Sequence, residues 1–94
     1  MEACSTWTYR NVTQGVFQTL QAVGRRQGFA IPGAPSGSFA IRVAGMQVGF
    51  RYGWDARSGT LMLTCVSKPM LLGCATIKSF ADRIVGEAGG KVAG

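Results

Sequence analysis

The sequence predicts an α+β fold with an N-terminal helix, a three-stranded antiparallel meander sheet and a C-terminal helix (α-β-β-β-α). Apolar residues recur at helical spacing near both ends of the chain and alternate with other residues in the middle, which is typical of strands. Each helix then has one apolar side and the sheet has one apolar face. Burying all three surfaces together places both helices on one face of the sheet.

The first helix is predicted between Ser5 and Gly28, where apolar residues recur at steps of three and four. These residues are Tyr9, Val12, Val16, Leu20 and Val23. Ser5, Thr6 or Asn11 is expected to cap the start of this helix, and Gly28 is expected to end it. The stripe of apolar residues is interpreted as core packing.

Residues 31–37 are predicted to be a connector. The segment reads Ile-Pro-Gly-Ala-Pro-Ser-Gly, and its two prolines and two glycines are unfavourable in both helices and strands. The chain therefore leaves the first helix through an irregular segment before the sheet begins.

Two strands are predicted at residues 39–43 and 48–54, where large apolar residues alternate with others. Gly45 and Met46 are expected to form a two-residue type II′ turn between them. The predicted pairs are Val43 with Val48, Ile41 with Phe50, and Phe39 with Tyr52. All large apolar residues then share one face of the hairpin, while Arg42 and Arg51 project from the other.

A third strand and a second helix complete the predicted fold. The segment Asp55–Gly59 carries turn residues, and a loop here brings Leu61, Leu63 and Cys65 onto the apolar face of the sheet. From about Cys74 the second helix is predicted by the spacing of Ile77, Phe80, Ala81, Ile84 and Val85. Glycines from position 86 end it, and residues 87–94 are predicted to be a flexible tail. Residues 1–94 form a single domain in this prediction.

The composition indicates a folded, basic protein. Of the 94 residues, 47% are hydrophobic and 15% are charged, which supplies enough apolar surface for one core. Ten Lys and Arg residues against four Asp and Glu residues give a net charge of +6. Such a charge favours an acidic protein surface or nucleic acid as partner, although solubility alone is an equally good explanation.

The residue types argue against catalysis. The chain has no histidine, and its four carboxylates are scattered along the sequence, so no acid/base pair is apparent. We therefore predict a non-enzymatic protein with no catalytic residues, no cofactor and no metal site. Its three cysteines suggest no even disulfide framework, and no stretch resembles a signal peptide or a membrane span. These observations predict a cytoplasmic location.

The predicted function is macromolecule binding by an inhibitor or adapter type of protein. The candidate partner-binding residues are Arg42, Gln47, Arg51, Arg57, Met62 and Lys68. Docking is expected through the basic sheet face or the edge of the third strand, against a protein with an acidic surface or a second copy of the chain in a homodimer. The alternative is a nucleic-acid-binding protein that contacts phosphates through Arg and Lys.

Overall fold

The computed structural model describes residues 3–93. Its elements are β1 (Thr6–Arg10), α1 (Gln14–Gln27), β2 (Ser36–Val43), β3 (Met46–Asp55), β4 (Thr60–Ser67), α2 (Cys74–Ala88) and β5 (Lys91–Val92). The strands form one antiparallel sheet in the order β2-β3-β4-β1-β5. The predicted α+β class, with two helices and an antiparallel sheet, is confirmed. The predicted order α-β-β-β-α is wrong because it lacks β1 and β5.

Strand β1 occupies residues that the sequence analysis placed in the first helix. Thr6 and Thr8 alternate with Trp7 and Tyr9, and β-branched and aromatic residues suit a pleated strand whose one face is buried. Asn11 then adopts a positive φ of 60°, which interrupts any helical continuation of the backbone. The chain therefore makes a strand first and a shorter helix afterwards.

Helix α1 begins and ends at identifiable caps. The hydroxyl of Thr13 accepts a hydrogen bond from the backbone N–H of Val16 at 3.3 Å, so Thr13 is the cap instead of the predicted Ser5, Thr6 or Asn11. At the other end Gly28 has a φ of 94°, and its N–H returns to the carbonyl of Arg25. The predicted end of the first helix at Gly28 is confirmed.

The hairpin between β2 and β3 turns one residue earlier than predicted. Ala44 and Gly45 both have positive φ, 53° and 78°, as a type I′ turn requires, and Val43 pairs with Met46. The predicted pairing is therefore wrong by two residues: Ile41 pairs with Val48, and Phe39 pairs with Phe50. Because side chains alternate with a period of two, this shift leaves every residue on its predicted face.

The third strand of the predicted meander, β4, is not an edge strand. It pairs with β3 on one side and with β1 on the other. The edges of the sheet are β2 and β5. Strand β5 and the end of α2 fall within residues 87–94, where a flexible tail was predicted, and Gly94 lies outside the described residues.

The helices pack on the apolar face of the sheet. The Phe17 ring of α1 lies parallel to the Trp54 ring of β3, with 4.2 Å between their centroids. Helix α2 is linked to β1 through the Tyr9 hydroxyl, which donates a hydrogen bond to Asp82 at 2.7 Å. One core thus lies between the helices and the sheet.

A disulfide joins Cys4, before β1, to Cys74 at the start of α2, with 5.8 Å between their Cα atoms. The odd number of cysteines predicts no even disulfide framework, so this pair is not expected from the sequence. The backbone N–H of Cys4 bonds to the carbonyl of Cys65 at 3.0 Å, which brings this segment to the end of the sheet where α2 begins. Cys65 itself is buried and outside the disulfide.

Candidate interaction surface

The candidate surface is the face of the sheet that points away from both helices, here called the outer face. The alternation of the paired strands places on it Thr6, Thr8, Arg10, Ser36, Ser38, Ala40, Arg42, Gln47, Gly49, Arg51, Gly53, Asp55, Thr60, Met62, Thr64, Val66 and Lys91. Most of these side chains are short hydroxyls, alanine or glycine. Longer side chains therefore rise from a low and mostly uncharged platform.

Two predicted arginines stand on this platform and are exposed. Arg42 lies opposite Gln47 beside the hairpin turn, and Arg51 lies between Ser38 of β2 and Thr64 of β4. Strand geometry separates the two arginine positions by about 13 Å along the sheet. Neither arginine makes an ion pair with a residue in the described range. Both guanidinium groups are thus available to a partner.

Two apolar side chains also project from the outer face. Met62 is 49% exposed, and Val66, on the same strand, is 39% exposed. Met62 lies opposite Gly53 on one side and Thr8 on the other, so it has no large neighbour across either strand. Association with another molecule would remove this apolar surface from water.

Two further cations join the outer face at its other side, and the sequence analysis missed both. Arg10 of β1 lies directly opposite Lys91 of β5, and both are exposed. Like charges in opposed positions repel each other, and a bound anion would relieve this repulsion. The alternation of Thr6 to Arg10 was the available signal for β1, but the overlapping helical spacing of Tyr9 and Val12 concealed it.

The remaining predicted residues fall in different places. Arg57 is exposed in the turn between β3 and β4, where its backbone N–H bonds to the Asp55 carboxylate at 3.0 Å. Lys68 is only 5% exposed, and its ammonium lies 3.4 Å from the carbonyl oxygen of Pro69. Lys68 is therefore removed from the candidate surface, because a buried ammonium cannot reach a partner that lies on the sheet.

One polar cluster lies on the opposite side of the sheet, beneath α2. The Asp82 carboxylate accepts hydrogen bonds from the Tyr9 hydroxyl and from the Lys78 ammonium, the latter at 3.0 and 3.3 Å. Burial, and next the bond to Asp82, raises the pKa of Tyr9 far above its usual value of 10.0. The hydroxyl thus stays protonated and acts as a fixed donor that ties β1 to α2.

The described residues 3–93 contain neither a metal-binding cluster nor a membrane-spanning helix. No group of three or more Cys, Asp or Glu side chains there is arranged to hold a metal ion. None of the helices in that range is both long and apolar enough to cross a membrane. Comparisons of the chain with protein-family models, curated proteins and solved structures found no match.

Proposed function

We propose that this chain is a small docking protein, of the inhibitor or adapter type, that binds an acidic protein surface through its outer face. The observation that carries the proposal is the arrangement of four exposed cations and two exposed apolar side chains on one face of the sheet. The cations are Arg10, Arg42, Arg51 and Lys91, and the apolar side chains are Met62 and Val66. Such a mixture of arginine and methionine is typical of protein interfaces.

The chemistry of the outer face suits carboxylates. A guanidinium binds a carboxylate through two parallel hydrogen bonds, and Arg42 and Arg51 stand far enough apart to engage two separate acidic side chains. Between and beside them the threonine and serine side chains lose little conformational entropy when a partner covers them. The face is therefore well prepared for binding although it is small.

A protein partner is favoured over nucleic acid by where the aromatic rings lie. The strand aromatics, including Phe50, Tyr52 and Trp54, point towards the helices and leave the outer face without a ring for base stacking. Phosphates would also leave Met62 and Val66 uncovered. The alternative of phosphate binding would use the same four exposed cations, Arg10, Arg42, Arg51 and Lys91, and neutralising about four phosphates would give a log–log salt slope near −3.6 on duplex DNA.

The test compares two double variants that each remove two positive charges. Arg42→Gln with Arg51→Gln alters the outer face, whereas Arg25→Gln with Arg26→Gln alters the exposed end of α1. Affinity purification from the source cell, with and without nuclease, should recover a nuclease-resistant partner with the wild type and the α1 variant. The outer-face variant should lose it.

Two results would contradict the proposal, and a third tests the homodimer alternative. Equal recovery by both double variants would show that the outer face does not bind the partner. Partners that disappear after nuclease treatment would favour the nucleic-acid alternative. Light scattering measures whether the chain forms a dimer. If it does and Met62→Ser does not weaken the dimer, the two copies contact each other outside the outer face.

The disulfide bears on where the protein works. Disulfides persist in oxidising compartments and are rare in the cytoplasm, so the Cys4–Cys74 pair favours an oxidising compartment over the cytoplasmic location expected from the sequence. Rapid alkylation of cells before lysis would test this. One labelled thiol per chain, on Cys65, supports the oxidising location, and three labelled thiols support the cytoplasm.

A further inference from the structure

Strand β2 forms one edge of the sheet, and no strand within residues 3–93 pairs with its outer side. The strand is eight residues long, whereas β5 at the other edge has two. Proteins usually protect a long edge with lysines, a proline, a bulge or a covering segment. The sequence of β2 contains no proline and one charged residue, Arg42, and its pairing with β3 runs from Ser36 to Val43 without a register shift. The edge is therefore open to pairing with another strand.

The main-chain groups of β2 that point away from β3 can be assigned from one hydrogen bond. In an antiparallel pair, residues bonded to the neighbouring strand alternate with residues whose N–H and C=O point the other way. The Trp54 N–H donates to the Pro35 carbonyl at 2.7 Å, so the odd-numbered residues of β2 also bond to β3. The outward groups therefore belong to the even-numbered residues, which are all exposed: Ser36, Ser38, Ala40 and Arg42. None of these four makes a hydrogen bond across the edge to another described residue.

The outward residues of β2 complement one another when a second β2 strand runs antiparallel to the first. Ser36 of one copy then lies opposite Arg42 of the other, and Ser38 lies opposite Ala40. Each of these pairs occurs twice and exchanges two hydrogen bonds, so about eight main-chain bonds form and every outward group gains a partner. Arg42 faces a serine instead of its own copy, which avoids a pair of like charges.

Phe39 lies at the centre of this register, on the side of the sheet that carries the helices. Its ring is stacked with the rings of Phe29 and Phe50, with 5.7 and 5.5 Å between centroids, and it stays partly exposed. In the antiparallel register Phe39 lies opposite its own copy, in a pair without main-chain bonds, where side chains approach most closely. The two rings therefore cover each other and extend the apolar core across the edge.

We infer that two copies of the chain associate by antiparallel pairing of their β2 strands, which joins the two five-stranded sheets into one. The self-pairing satisfies all four outward residues and Phe39 in a single register, which favours a second copy over an unrelated extended peptide. The contact is made by main-chain groups at the edge, so it does not rest on the docking partner proposed above. The outer faces of both copies then form one continuous surface.

Sedimentation equilibrium of the whole protein from micromolar to millimolar concentration tests the association. We expect a reversible equilibrium between monomer and dimer, because an interface made by one pair of strands is small. Amide hydrogen exchange at Ser38, Ala40 and Arg42 should slow as the protein concentration rises, while the amides of the exposed Met70 and Leu71 should not change. A monomer at every concentration, or a dimer in which the three β2 amides exchange at the monomer rate, would overturn the inference.

Charge variants at Ser36 test the register. Ser36→Asp places a carboxylate opposite Arg42 of the second copy, twice in the dimer, and should tighten the dimer about fivefold. Ser36→Arg places a like charge there and should weaken the dimer by a similar factor. Ser5→Asp and Ser5→Arg make the same charge changes just before β1, three strands away from β2, and should leave the affinity unchanged. Equal shifts at both positions would show that net charge alone governs association and would contradict this register.

A proline variant tests the pairing of the edge itself. Ser38→Pro removes an outward N–H that does not bond to β3, so the ladder between β2 and β3 stays complete. The variant should keep the circular dichroism spectrum of the wild type and remain a monomer at concentrations where the wild type is dimeric. A dimer of unchanged affinity in the folded variant would exclude β2 as the interface.

Discussion

Reduction of the Cys4–Cys74 disulfide should lower the stability of the fold without abolishing it. The disulfide links residues that are 70 positions apart, so it closes about three quarters of the 94-residue chain into a loop. In the folded protein the segment around Cys4 is also held by the pairing of β1 with β4 and by the Cys4 N–H bond to the Cys65 carbonyl. The reduced chain therefore keeps its sheet when folded, but its unfolded state has more conformational entropy.

The size of this effect follows from the length of the loop. Chain entropy for a closed loop of this length gives about 4 kcal/mol at 25 °C. For a domain of this size, each kcal/mol corresponds to roughly 4 to 8 °C in melting temperature. We therefore expect reduction to lower Tm by about 15 to 30 °C.

Thermal unfolding followed by circular dichroism, with and without a reductant, measures this difference. The variant with Cys4→Ser and Cys74→Ser is the control: it should melt near the reduced wild type and should not respond to reductant. Titration of thiols in the denatured, unreduced protein should find one thiol, that of Cys65. Three titrated thiols, or a Tm change below about 4 °C, would refute the reasoning.

Two further predictions concern the turn and the core. Replacing Ala44, which has a φ of 53°, by Asn should stabilise the protein by about 0.5 to 1 kcal/mol, because Asn-Gly is the preferred type I′ pair; a lower urea midpoint would contradict this. Burial raises the pKa of Tyr9 in the folded chain, so above pH 10 Tyr9 ionises only in the unfolded chain. The unfolding free energy should therefore fall by up to about 1.4 kcal/mol per pH unit. Urea unfolding at pH 9 and pH 11 should show a shallower loss in Tyr9→Phe, and an equal loss in both proteins would exclude the contribution of Tyr9.

The parts of the fold that could be predicted from the sequence are those in which apolar residues recur at regular spacing. Alternation defined the faces of β2, β3 and β4. Arg42 and Arg51 lie on the predicted outer face although the turn was misplaced, because the register changed by two residues. The turn itself was misplaced because Gly45 alone suggested a type II′ turn. Nothing in the sequence indicated that Ala44 would also adopt a positive φ.

The parts that could not be predicted depend on contacts between distant residues. Tyr9 and Val12 fit both a strand followed by a turn and the first turn of a helix, and only the pairing of β1 with β4 decides between them. Strand β5 has two residues and no local signal of its own. The disulfide and the Arg10–Lys91 pair were missed for the same reason, since both follow from the position of β1.

The burial of Lys68 was also beyond the reach of the sequence. A lysine before a proline is typical of a solvent-facing loop, but here Lys68 follows β4 directly and is only 5% exposed. The candidate surface therefore loses Lys68 and gains Arg10 and Lys91. These two residues lie opposite each other on β1 and β5, and only the topology of the sheet reveals their positions.

The position of β1 in the sheet has a consequence for how the chain assembles. Tyr9 of β1 pairs with Leu61 and Val92, which are synthesised more than 50 residues later. Strand β1 therefore cannot pair until these later strands are made. At ribosomal speed the delay before Leu61 appears is about 3 to 10 s, whereas the local hairpins form within microseconds. During that interval β1 has no strand to pair with, and the Tyr9 hydroxyl has no Asp82 to bond to. The thiols of Cys4 and Cys74 are held together in the folded protein by this same long-range pairing, so we expect their oxidation to follow it.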